Sequence, residues 1–274
     1  SGDTGSMKRK ILCAAAAAVI LIAYFIFLFL YTKKDYNGAP SISFDTGHIE
    51  LSVQDDAGAL LEGVTASDPE DGDLTDQVLI DSISVFDDQG RRTVRYVVFD
   101  SENTPAQAER TLSYTDYTPP VIGLTGSLVV DNLSDVELNR LGSATSCVDG
   151  DISNRLNVKI GTLQEDSVRL DFSVTDSTGT EAYLSVSCDY DRSVYLADIV
   201  LGNYLLYLPA GETYDLRSNI RDIIISKQSR MELLDEVEIQ SGVDFSKPGT
   251  YEVYYYLASD TGSSGRAKGI VVIQ

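Results

Sequence analysis

The chain has 274 residues, 43% of them hydrophobic, with 21 Lys plus Arg against 42 Asp plus Glu and a formal net charge of −21. That balance excludes a polyphosphate-binding surface, which gains affinity by releasing counterions to basic side chains, so nucleic acid is not an expected partner. One His, three Cys and no Trp leave little material for zinc, haem or a His-based triad. The apolar content is still high enough for a packed core.

Residues 1–6, ahead of Met7, read as a vector-derived scar and are set aside. The next segment, 7–34, reads as a cytoplasmic stub followed by a transmembrane helix. Ile11 to Tyr31 carries no formal charge over 21 residues, and at about 1.5 Å per residue it matches the roughly 30 Å hydrocarbon core. Its small residues, Ala14 to Ala18, come first and its bulky ones, Tyr24 to Tyr31, last. That order opposes a cleaved signal peptide, whose small residues follow the apolar run. Lys8, Arg9 and Lys10 are expected to stay cytoplasmic, with Lys33 and Lys34 as interfacial flanks. The expectation is a single-pass protein of the cell membrane, N-terminus cytoplasmic and residues 35–274 extracytoplasmic, with the lipid bilayer as one partner. Cys13, before the apolar stretch, reads as a small apolar filler.

Beyond the anchor the sequence repeats itself every 75–80 residues or so. Val94-x-Tyr96-x-Val98-x-Asp100, Val168-x-Leu170-x-Phe172-x-Val174-x-Asp176 and Gly249-x-Tyr251-x-Val253-x-Tyr255-x-Leu257 each alternate strictly, as a strand with one buried face does. Each is followed by polar or small residues and a second apolar run, the pattern of a hairpin. Upstream, Asp71-Gly72-Asp73-Leu74-Thr75 matches Asp149-Gly150-Asp151-Ile152-Ser153 at an offset of 78. Asp-Gly favours a tight turn, because Gly accepts positive φ and Asp bonds its own backbone. The third copy lacks this signal and carries Leu208-Pro209-Ala210-Gly211-Glu212-Thr213-Tyr214-Asp215-Leu216 instead. Boundaries are expected at Pro40, at Pro119-Pro120 and near Asp191-Arg192-Ser193. The predicted fold class is all-β, three tandem Ig-like β-sandwich domains (35–118, 119–191 and 192–274) following the transmembrane helix.

Three stretches resemble bacterial surface immunoglobulin-like repeats of the hyalin-repeat-like and crystal-toxin types: Asp68 to Thr75, the strand from Gly249, and Val243-Asp244-Phe245-Ser246-Lys247-Pro248-Gly249-Thr250-Tyr251. The resemblance covers 40–118 and 195–274 better than 119–190, where Cys147 stands at the place of Pro69. It implies the sandwich fold and is nearly silent on function, since such modules serve as stalks, spacers, adhesins or docking units.

Cys147 and Cys188, both in the second copy, are a candidate disulfide, with two separate thiols as the alternative. The acids Asp68, Glu70, Asp71 and Asp73, with Asp100 nearby by analogy, are a candidate Ca²⁺ site. The alternative is a solvated turn capped by its own carboxylates. His48 has no second His or Cys beside it and reads as a surface residue. Tyrosine is the enriched aromatic, 16 against eight Phe. Alternation buries Tyr255 and turns Tyr254 and Tyr256 outward; with Tyr204 and Tyr207 these form a candidate interaction face, since tyrosines give rigid amphipathic area.

The sequence shows no nucleophile with its base, no phosphate loop and no metalloprotease helix, so no enzyme activity and no resident cofactor are expected. The expected function is a membrane-anchored extracytoplasmic stalk mediating adhesion or protein–protein interaction, as an accessory subunit beside another cell-envelope or surface protein. The alternative is a polysaccharide-binding module assisting a separate cell-envelope enzyme.

Overall fold

Turn chemistry sets where the strands begin. A computed structural model describes residues 19–29, 38–134, 138, 140–162, 164–258 and 262–274. These are all-β apart from a helix at 19–29 and short helical turns. Two compact units result. One takes the described residues up to Leu51 with 55–84 and 91–113; the other takes 52–54, 85–90 and 114–274.

The helix at 19–29 corrects the predicted anchor. Its eleven described residues rise about 16 Å, half of a hydrocarbon core. Among the described residues no helix is long and apolar enough to cross a membrane, which overturns the expected single-pass location with a cytoplasmic N-terminus. The proposed flanks Lys8, Arg9, Lys10, Lys33 and Lys34, and Cys13, lie outside the described residues.

The first unit holds β1 (Ser41–Phe44), β2 (His48–Leu51), β3 (Val64–Asp68), β4 (Gly72–Asp73), β5 (Leu79–Ile83), β6 (Arg92–Phe99) and β7 (Pro105–Tyr114). They form two sheets, β1-β3-β4 and β2-β7-β6-β5. Inward residues of both, Val64 and Ala66 from β3 and Val94, Tyr96 and Val98 from β6, are buried. Phe44 of β1 packs on Tyr96 with ring centroids 5.3 Å apart. Buried Arg110 lies over both rings and donates to the carbonyls of Leu60 and Glu62 at 2.7 and 2.8 Å, tying the 3₁₀ turn Ala57–Leu61 to the core.

The second unit begins with β8 (Val121–Leu124), β9 (Val129–Val130), β10 (Gly142–Ser146), β11 (Gly150–Asp151), β12 (Asn157–Ile160), β13 (Ser167–Thr175) and β14 (Glu181–Tyr190). It ends with β15 (Ala197–Leu201), β16 (Leu205–Leu208), β17 (Ile220–Ile225), β18 (Gln228–Ser229), β19 (Val237–Ser241), β20 (Gly249–Ala258) and β21 (Ser264–Ile273). Sheets β11-β10-β8 and β12-β13-β14-β9 face each other across one core. A seven-stranded sheet, β18-β17-β15-β21-β20-β19 with β16 added on β21, builds a second.

β21 serves both cores. Ile270 and Val272 pack with the first cluster, Val271 and Ile273 with the second. Its neighbour β16 divides the same way, Leu205 to one side and Leu206 and Leu208 to the other. A strand covered on both faces reads as a continuous apolar run, and Ile270-Val271-Val272-Ile273 is one.

The repeat persists in the backbone, including where the sequence hides it. Thr75 N donates to Asp73 Oδ1 at 3.0 Å and Ser153 N to Asp151 Oδ1 at 2.9 Å, and buried Leu74 and Ile152 follow the same two-residue strand. In the third copy β18 takes the place of β4 and β11, with the 3₁₀ turn Met231–Glu236 and buried Leu233 after it. The hairpin between β17 and β18 turns on Ser226 and Lys227, with φ of 51° and 66°. Gly72 and Gly150 supply positive φ freely; Ser and Lys adopt it against their Cβ. Lys227→Gly is therefore expected to raise stability by about 0.5–1 kcal/mol in urea unfolding, while Gly150→Ala, at φ 72°, lowers it by about 1 kcal/mol.

Candidate interaction site

The predicted face of Tyr254 and Tyr256 starts from register. β20 and β21 pair Tyr254 with Lys268 and Tyr256 with Arg266, so two rings and two cations share the outward face. The rings stack at 6.1 Å and 12°, with Lys268 Nζ 5.1 Å from the Tyr254 centroid and Arg266 5.6–5.7 Å from both. Carboxylates close over the cations. Lys268 Nζ donates to Asp189 Oδ1 at 2.7 Å and meets Glu252 Oε1 at 2.9 Å. Arg266 donates to Asp191 Oδ2 at 2.8 Å and to Asp189 Oδ2. Tyr254 Oη donates to Glu252 Oε2 at 2.7 Å and Tyr195 Oη to Asp191 Oδ2 at 2.7 Å. Lys268 is 0% exposed.

Backbone runs through the same place. Asp189 N donates to Leu128 O at 2.8 Å and Leu128 N to Lys268 O at 3.1 Å, while Lys268 N donates to Ser127 Oγ at 2.9 Å. Residues 127–130 thus link β14 to β21. The cluster is a junction between the two cores in which each cation meets a carboxylate, and Arg266 Nε is buried without a hydrogen-bond partner.

Burial alone would lower the Lys268 pKa, but its hydrogen bonds to Asp189 and Glu252 and the Asp189 charge raise it. Hydroxyl bonds from Ser193 and Tyr195, with Arg266 adding to them, hold the Asp191 carboxyl well below the usual carboxylate range. Burial first, then the bond to Glu252, raises the Tyr254 phenol.

The four predicted tyrosines do not form one face. Tyr207 Oη donates to Ile122 O at 3.0 Å, and Tyr204 packs against both cores and accepts from Leu201 N at 3.4 Å. Alternation located Tyr254 and Tyr256; it gave no sign of Asp189, Asp191, Glu252, Arg266 or Lys268, whose only sequence signal is a Lys between Ala267 and Gly269 in an apolar strand.

The candidate disulfide is also corrected. Cys147 and Cys188 are free thiols. Cys147 donates to Thr118 O at 3.0 Å, whereas Cys188, on β14, points into the core, where burial pushes its thiol up to about 12. His48 is exposed beside Glu50, 3.7 Å away.

The candidate Ca²⁺ site separates into turn caps. Among the described residues no group of three or more His, Cys, Asp or Glu is placed to hold a metal ion. Asp68 Oδ1 accepts from Glu70 N and Asp71 N at 2.7 and 2.9 Å, Asp71 Oδ2 from Ser101 N at 2.7 Å, and Asp100 Oδ1 from Glu102 N and Thr104 N. Asp73 caps Thr75, and Glu70 is exposed, contributing its backbone N–H. Ser146 plays the part of Asp68 in the second copy, accepting from Val148 N and Asp149 N and donating to Asp176 at 3.2 Å. Asp68, 5% exposed, keeps Oδ2 buried without a hydrogen-bond partner.

No family model matches this sequence, and no curated protein matches it. Among solved structures the chain is similar to ZmpB of Clostridium perfringens, the M60 catalytic domain with the CBM51-1 and CBM51-2 domains, at TM-score 0.24 and 13% identity over 85% of this chain and 30% of that one. It is also similar to protocadherin Gamma B7 extracellular cadherin domains 1–4, at 0.21 and 11% over 56% and 50%. A third likeness is to human CDH23 EC21-23, at 0.21 and 10% over 86% and 100%. The chain spans less than half the length of the ZmpB structures it matches. At such scores the fold class rests on the strand pairing itself.

Lys268→Met leaves Glu252 without its cation and Asp189 with Arg266 alone, and is expected to cost about 3 kcal/mol in guanidinium unfolding, since breaking a buried pair strands its partner. The Lys268 contribution is complete below the ordinary lysine value of 10.5 and is lost as pH rises through the raised folded value. The Asp191 contribution is present above the ordinary 3.8 and is lost as pH falls through the depressed one. The melting temperature should be flat from roughly pH 5 to 9 and fall on both sides. Asp68→Ser should raise stability by about 1 kcal/mol, read by urea unfolding, by giving the first copy the hydroxyl of the second.

Proposed function

We propose that this chain is a non-catalytic adhesion or protein–protein interaction protein. On this reading it is built of three Ig-like modules, residues 35–118, 119–191 and 192–274, the last two acting as one stiff body. Its partner is another cell-envelope or surface protein. The observation that supports this most is β21, shared by two cores and clamped at Lys268 by Asp189 and Glu252. Interaction modules that bear load gain from such a joint, because relative motion of neighbours is otherwise the default. The composition fits a protein that works by contact, with one His and a net charge of −21 that favours solubility.

Stretching single full-length molecules should show 119–274 unfolding in one event. Two independent events of module size would remove the stiff body. Microspheres coated with the chain should adhere to cells of the encoding organism more than albumin-coated ones, and equal adherence would remove the adhesive reading.

A further inference from the structure

A second feature of the same unit borders the ion cluster and shares Glu252 with it. The outward face of β13 and β14 pairs Arg169 with Ser187 and Asp171 with Ser185. Short serines lie between Gly161, Thr162 and Gln164 and the β20 residues Thr250 and Glu252. The result is a cleft of about 650 Å³ lined by Thr162, Gln164, Arg169, Ser187, Thr250 and Glu252 among others. That volume lies within the roughly 300–1,000 Å³ of small-molecule clefts.

Its chemistry is that of hydroxyls. Among the described residues, Thr162, Ser187 and Thr250 make no side-chain hydrogen bond and are open to a ligand. Just outside the lining, behind Arg169 and Ser185, Asp171 Oδ1 accepts from Arg169 Nε at 2.7 Å, Tyr183 Oη at 2.9 Å and Ser185 Oγ at 2.6 Å. All three donors use one oxygen, which leaves Oδ2 without a hydrogen-bond partner. Hydrogen bonds from Arg169, Ser185 and Tyr183 hold this carboxyl down to about 2, so it is ionised at any physiological pH. The Tyr183 ring is 60% exposed, with its hydroxyl 3.4 Å from Arg169 Nη2. An exposed ring held by its hydroxyl offers a rigid apolar face.

We propose that this cleft binds a neutral oligosaccharide. Sugar hydroxyls exchange hydrogen bonds with Thr162, Ser187 and Thr250 in the cleft, while a further ring of the oligosaccharide, extending past Arg169, donates to Asp171 and packs its C–H face on Tyr183. Anionic ligands are disfavoured by the net charge of −21. Lipid is disfavoured by a lining of hydroxyls and charges.

The full chain on a printed array of neutral and uronic-acid-containing oligosaccharides is expected to retain neutral members only. For the strongest of these, titration calorimetry should show at least a tenfold loss of affinity in both Tyr183→Ala and Ser187→Leu, with melting temperatures unchanged and Tyr183→Phe keeping most of the affinity. Retention of no neutral glycan, a preference for the acidic members, affinity unchanged in Tyr183→Ala and Ser187→Leu, or binding of an extended peptide library in their place overturns the proposal. None of these results touches the single unfolding event expected of the stiff body, so the two readings fail separately.

Discussion

The arrangement of residues 114–274 depends on one constraint: β21 is covered on both faces. Alternate residues Ile270 and Val272 feed one core and Val271 and Ile273 the other. A strand in that position has no solvated side, so any polar group it carries needs a partner inside the protein. Lys268 is such a group. Its ammonium takes Asp189 from β14 and Glu252 from β20, and the Tyr254 ring covers the remaining side. The 127–130 segment completes the backbone pairing between β14 and β21. Packing, charge and backbone bonding meet at one residue.

The repeats show how one geometry tolerates different chemistry. The tight turn after β3 and β10 is made by glycine; the equivalent after β17 is made by Ser226 and Lys227 at positive φ. The cap at the end of β3 is the carboxylate of Asp68, and that at the end of β10 is the hydroxyl of Ser146. Ser146 also donates onward to Asp176; a carboxylate only accepts, and Asp68 keeps an unpaired oxygen. The acids that looked like a cation site are accounted for by capping, a local function that needs one carboxylate at a time.

Local signals were legible in the sequence and non-local ones were not. Strict alternation at Val94–Val98, Val168–Val174 and Tyr251–Leu257 predicts long strands, and all three lie in strands with those residues inward. The Asp-Gly turns are where spacing put them. The third turn was missed because its signal is chemical and the glycine is absent. An apolar run such as Ile270–Ile273 looks the same whether one face is covered or two, so the junction was invisible. Tyr254 and Tyr256 were correctly placed outward, yet outward from one core meant toward β14, a fact held by Asp189 some 65 residues earlier. The uncharged stretch 11–31 suggested a span on hydropathy alone, and the helix described within it covers 19–29.

A buried lysine is an odd choice for a joint that hydrophobic residues could fill at similar stability. Register explains what a hydrophobe would lose. β20 and β21 are rich in β-branched and aromatic residues on both faces, so a one-residue slip would exchange one apolar set for another at small cost. With Lys268 in place, the same slip turns an ammonium toward Val253, Tyr255 and Leu257, among the most buried groups of the second core, and leaves Asp189 and Glu252 facing Ala267. The penalty for an unpaired buried charge is several kcal/mol. The ion cluster therefore acts mainly against wrong pairings: it admits one alignment of two long strands, and that alignment holds the two cores together.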